Sequence, residues 1–118
     1  MTEREFERQL QRFLRLLVKE KEYLIKGQGE KLIELVEKKE SFVPIIESYD
    51  GSLSTKSQEL IQQIQWQQEE NLLLTEQAIS YQKTLMDAVK DNIQPVANTY
   101  SKYTEKATVQ TAIIDQKI

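Results

Sequence analysis

Along residues 60–93 two apolar stripes run side by side, one residue out of register with each other. The first steps alternately by four and three through Leu60, Ile64, Gln67, Asn71, Leu74, Ala78, Tyr81, Leu85 and Ala88, the spacing of a coiled-coil seam. The second takes in Ile61, Leu72, Ile79, Met86, Val89 and Ile93. Together they form an apolar face wider than a single antiparallel partner helix needs. The surplus either covers the chain's own core or meets something further: a third helix, another subunit or a client.

Upstream, Phe6, Leu10, Phe13, Leu17 and Leu24 fall on one helical face with Leu14 beside them, while Arg4, Arg8, Arg12, Arg15 and Lys19 mostly point elsewhere as a solvated face. This predicts a helix over 2–26. Thr2 suits its N-cap, and Glu3 and Glu5 suit the positive end of the helix dipole. Gly27-Gln28-Gly29 interrupts the pattern, and each glycine costs about 1 kcal/mol inside a helix. Leu32, Leu35, Val36, Phe42, Ile45, Ile46 and Tyr49 nevertheless resume the stripe at once, so the helix is expected to continue, the glycines being tolerated rather than acting as a hinge. Pro44 removes a backbone donor and predicts a kink, or a restart after Ser41.

Residues 48–52, Ser-Tyr-Asp-Gly-Ser, are the dense turn signal, where Asp50 and Gly51 supply local hydrogen bonding and positive φ for a reversal. Thr55 with Gln58 three residues on reads as a capping box for a second helix that runs to about Asn92. Each arm would then be roughly 60 Å long. Within the second arm, Trp66 sits among glutamines and off both stripes; packing on the flank of the neighbouring helix is favoured over an exposed partner anchor. Asn71, a polar residue in the seam, reads first as setting register and second as a client contact.

Pro95 ends or kinks the second arm. In residues 95–118, Thr99, Thr104, Thr108, Val109 and Thr111 lower helix propensity, yet Val96, Tyr100, Tyr103, Ala107 and Ile114 trace an amphipathic stripe. Both a third helix folded on the surplus face and a tail that orders on docking fit that combination. The expected fold is all-α: an elongated, coiled-coil-like antiparallel helical hairpin over 1–94, turning near 49–54, followed by a C-terminal third helix or partly disordered tail over 95–118.

The residue inventory narrows the chemistry. The chain of 118 residues has no cysteine and no histidine, which removes disulfides, the usual zinc sites, Cys or His nucleophile pairs and histidine acid–base work. It carries neither a calcium-loop pattern nor a Gly-rich phosphate loop. No catalytic, cofactor-binding or metal-binding residue is therefore assigned, and an enzyme is the least favoured class. With 16 basic and 19 acidic side chains, no nucleic-acid partner is indicated. The longest apolar run is the five-residue Phe-Val-Pro-Ile-Ile of 42–46, and the N-terminus MTEREFERQL is charged where a signal peptide would be apolar. A cytoplasmic protein without membrane insertion is expected.

Three stretches together resemble the FlgN family of flagellar export chaperones: KEKEYLIKGQGEKLIELVEKKESFVPII, ENLLLTEQAISYQKTLMDAV and the Tyr-bearing tail. The first is similar to that family's charged helix with a Gly-containing break, followed by leucines and a Lys-Lys/Glu run. The second resembles its Asn-x-x-Leu element, matched by Asn71 and Leu74. The resemblance implies a cytoplasmic, non-enzymatic escort that binds disordered or helical terminal segments of hook-filament junction proteins, prevents premature assembly and delivers them to the flagellar export gate. It also implies client contact through the C-terminal region, Tyr100 and Tyr103 foremost. With the surplus face added, the candidate partner-binding set is Asn71, Leu72, Ile79, Met86, Val89, Val96, Tyr100, Tyr103, Ala107 and Ile114. A coiled-coil adaptor or homodimeric scaffold without chaperone role is the alternative, and monomer and dimer both remain open. A secreted helical hairpin of the Trp-x-Gly type is disfavoured, because Gln67 and Gln68 follow Trp66 well inside an arm.

Overall fold

A computed structural model describes residues 1–89 as three helices and no strand: α1 (Glu3–Lys26), α2 (Gly29–Ser48) and α3 (Thr55–Val89). The chain is all-α and elongated, 54 Å by 21 Å by 20 Å, with the reversal at 49–54 joining α2 to α3. The first arm is itself folded in two. Phe6 stacks on Tyr49, Phe13 meets Phe42 and Glu20 meets Lys39, so α1 and α2 are antiparallel. Ser54 bonds Glu7, Asn71 bonds Leu17 and Glu20, and Lys21 pairs with Glu70, so α3 runs parallel to α1. The expected C-terminal element over 95–118 lies outside the described residues.

Gly27 makes the extra reversal. It takes φ +70°, its N–H donates to the Leu24 carbonyl (3.3 Å), and the Gln28 N–H donates to the Tyr23 carbonyl (2.9 Å), which is a Schellman closure. The expectation of a continuous helix across 27–29 is thus corrected. The apolar stripe does resume, but by folding Leu32 and Val36 back against Leu24. A Cβ on Gly27 would meet no atom within 4 Å, so substitution there acts through the backbone alone. Gly27→Ala is expected to cost about 1–2 kcal/mol in urea unfolding, because an L-residue resists the left-handed region. A loss well below that range would mean the reversal does not depend on this conformation.

Other local expectations shift by a residue or less. Thr2 does cap α1, in a reciprocal box: its hydroxyl accepts from the Glu5 N–H (3.1 Å) while Glu5 accepts from the Thr2 N–H (3.2 Å). At α3 the cap is Ser54 rather than Thr55, with the Ser57 N–H donating to the Ser54 hydroxyl (3.0 Å). That hydroxyl also donates to Glu7 (2.6 Å), tying the start of α3 to the start of α1. α2 runs through Pro44 without a restart after Ser41. Gly51 is not needed for positive φ, since Gly27 is the only described glycine with one. Its missing side chain matters instead: a Cβ would sit 2.7 Å from the Tyr49 hydroxyl, which donates to the Ser52 carbonyl (2.6 Å). Burial first, then the carboxylates of Glu3, Asp50 and Glu7, push the Tyr49 phenol above its usual range.

Among the described residues the interior has two apolar clusters. The lower gathers Phe6, Leu10, Phe13 and Leu17 of α1 with Ile46, Tyr49, Leu60, Ile61 and Ile64. The upper gathers Leu24, Leu32 and Val36, with Leu72, Leu74, Ala78 and Ile79 packed partly over them. Between them lies a polar layer to which each helix contributes. Glu20 and Lys39, both 1% exposed, pair at 2.9 Å; the Asn71 amide donates to Glu20 (2.7 Å) and to the Leu17 carbonyl (2.8 Å).

Candidate partner-binding site

Two faces of α3 remain open to a partner among the described residues. One follows from helix length. α3 starts level with the first turns of α1 but has 35 residues against 24, so at 1.5 Å per residue it overshoots the end of α1 by roughly 15–20 Å. Ile79 is the last α3 residue packed on the upper cluster. Beyond it, Met86 is half-buried, while Tyr81 (63%), Leu85 and Val89 (54%) are exposed.

The seam that the apolar pattern places at Gln67, Leu74, Tyr81, Leu85 and Ala88 is corrected here. The buried positions are Ser57, Leu60, Ile61, Ile64, Gln68, Asn71 and Thr75, so Leu60, Ile64 and Asn71 are shared with the seam, while Gln68 and Thr75 take the interior one residue after Gln67 and Leu74. Leucines 72 and 74 flank this line, and polar Gln68, Asn71 and Thr75 fill it. Tyr81, Leu85 and Ala88 are exposed because α1 and α2 have already ended. The surplus width noted in the sequence is used up to Ile79 by the two helices of the folded first arm. It is surplus only above that level.

The candidate contact residues therefore separate. Leu72 and Ile79 are half-buried and packed at the edge of the upper cluster, whereas half-buried Met86 and exposed Val89 lie on the projecting end. Asn71 does not belong with them. It is 1% exposed, its amide is spent on Leu17 and Glu20, and its side-chain oxygen accepts from Gln67 (3.0 Å), so it is a register-setting residue of the interior. Val96, Tyr100, Tyr103, Ala107 and Ile114 lie outside the described residues.

The second open face centres on Trp66, which sequence reasoning set against a neighbouring helix. It is instead 81% exposed, on the side of α3 directly away from the buried line. A groove of about 590 Å³ runs beside it between α1 and α3, lined by Leu14, Val18, Gln63, Trp66, Gln67, Glu69, Glu70 and Leu73. Val18 (44%) and Leu73 (55%) are exposed within it. Lys21 of α1 bridges to Glu70 across the groove, and this ion pair, then the Gln67 amide, holds the Glu70 carboxyl below its usual range. The signal that could have found this face was present: Leu14, Val18 and Ile25 recur at four and seven residues on α1 outside its core stripe, and Trp66 and Leu73 recur at seven on α3.

Among the described residues no group of three or more Asp, Glu, His or Cys side chains converges as a metal-ligand set. No helix among them is long and apolar enough to cross a membrane. No protein-family model, curated protein or solved structure matches this chain. What the fold defines is a class: a small, elongated all-α bundle with apolar side chains exposed along two faces of its longest helix.

Proposed function

We propose that the chain is a cytoplasmic export chaperone: it holds the terminal segments of hook-filament junction proteins, keeps them from assembling early and hands them to the flagellar export gate. The observation that carries this reading is the projecting end of α3, where Met86 and Val89 follow Ile79, the last residue packed on the upper cluster, at helical spacing and without a covering element among the described residues. An amphipathic client segment folding as a helix along that end would complete the packing that α1 and α2 leave unfinished. The resemblance of residues 19–46 and 70–89 to the FlgN family names the client class. No catalytic role is assigned to any residue.

Titration calorimetry of the full chain against the C-terminal segment of a hook-filament junction protein tests the proposal. Binding is expected, and Met86→Asp with Val89→Asp should weaken it at least about tenfold, the loss of one good apolar anchor. If binding survives that pair of changes but falls with Tyr100→Ala and Tyr103→Ala, the client sits on residues 95–118 instead. No binding by the parent chain overturns the proposal.

A further inference from the structure

The Trp66 groove and its rims are complementary to themselves. On α1, Arg8, Lys19 and Lys26 are exposed on the flank beyond Leu14 and Val18, and none makes an ion pair among the described residues. On α3, the outer flank beyond Trp66 carries Glu69 and Glu76, also exposed and without an ion pair among the described residues. From Ser57 to Gln82 this helix has no Lys or Arg at all. One side of the groove is therefore predominantly basic, with Glu22 an exposed acid among its bases, and the other acidic, with an apolar floor between them. We infer that this face is a two-fold interface between two copies of the chain, each inserting its Trp66 between Leu14 and Val18 of the other.

The register supports this arrangement. Ser54 stands level with Glu7, Asn71 with Leu17 and Glu20, and Glu70 with Lys21, because α1 and α3 are parallel. A two-fold axis running along the groove keeps every level and exchanges the helices, so that α3 of one copy faces α1 of the other. Trp66 then arrives at the level of Leu14 and Val18 of the second copy. Leu73 arrives near Ile25 of the second copy, a residue 65% exposed on the same side of α1 as Leu14 and Val18. Along the rim, Lys19 comes level with Glu69 and Lys26 with Glu76 of the second copy. An axis perpendicular to the helices within this face would set α1 on α1 and bring the basic flanks together, which charge repulsion disfavours.

The area is adequate. A face as long as α1, about 36 Å, and about 20 Å wide is close to the roughly 800 Å² per partner that stable interfaces bury. Every contact occurs twice in such an isologous pair. The inference does not rest on the chaperone reading, since the projecting end of α3 lies above this interface. In the dimer both projecting ends leave from the same pole.

Analytical ultracentrifugation of the full chain, with emission of its single tryptophan, tests it. The expected result is a two-chain mass at high micromolar concentration and a blue shift of Trp66 emission as the dimer forms. Two charge variants sharpen the test: Lys19→Glu with Lys26→Glu in one chain, and Glu69→Lys with Glu76→Lys in another. Each alone should raise the dimer Kd at least about tenfold, and mixing the two should restore association, because every reversed pair then meets its opposite. Circular dichroism confirms that these surface variants fold. A monomeric parent chain overturns the inference, as does a dimer whose Trp66 emission stays that of an exposed indole or whose Kd ignores both charge variants.

Discussion

Replacing Lys39 by Met is expected to cost about 3–5 kcal/mol, among the largest effects of any single change in this chain, because it strands the Glu20 carboxylate inside the bundle. Both side chains are 1% exposed, and the Asn71 amide alone would then remain facing the charge. The measurement is urea denaturation, in which the midpoint should fall while the slope stays unchanged. A loss under about 1 kcal/mol would show that the layer is open to water and is not the dry ion pair described. The companion variant separates stability from specification. Glu20→Leu with Lys39→Met removes both charges, and replacing a whole buried pair by apolar groups is commonly neutral or stabilising by about 1–4 kcal/mol. Each helix contributes one member to the layer, so any slip of one helix along another leaves a charge or an amide unpaired. The layer thus selects a single register, which uniform leucine packing would specify less sharply.

Phe13→Ala is expected to destabilise by a comparable amount, about 3–5 kcal/mol, through transfer loss and the cavity left behind. Phe13 has no exposed surface and sits where all three helices meet the lower cluster, its ring tilted against Phe42 at 5.8 Å between centroids. The neighbours are held from both ends, by the Tyr49–Phe6 stack below and the ionic layer above, so little collapse into the void is available. Thermal or urea unfolding checks the figure, and a value near 1 kcal/mol would mean that the cluster relaxes far more freely than close packing allows.

Comparing Phe13 with Trp66 shows what an apolar residue reveals by itself. Phe13 stands in a stripe with Phe6, Leu10 and Leu17, and a stripe of that period has one physical solution, burial against another element. Trp66 stands apart from the seam, and hydrophobicity alone favours covering it; the helix rotation set by Ile61, Ile64 and Gln68 turns it outward instead. Gln68 marks the same limit from the other side. It is 2% exposed, with both polar atoms of its amide buried and unpartnered among the described residues, at a position where the pattern looks for a leucine. Three consecutive leucines at 72–74 cannot all face inward on a helix, and the apolar count does not say which ones yield.

From the sequence alone follow the all-α class, the existence and first-turn cap of α1, the reversal at 49–54 and the poverty of catalytic side chains, since each depends on local periodicity, local turn chemistry or composition. The tertiary structure decided the rest. It made Gly27 a fold-back rather than a tolerated interruption, because an interrupted stripe is equally satisfied by continuing or by packing on itself, and only the contact of Leu24 with Leu32 and Val36 chooses. It placed Lys39 and Glu20 together across 19 residues of chain, a pairing that no local pattern encodes. It also set where α1 and α2 stop beneath α3, and so which part of one long apolar face is core and which part is left uncovered among the described residues.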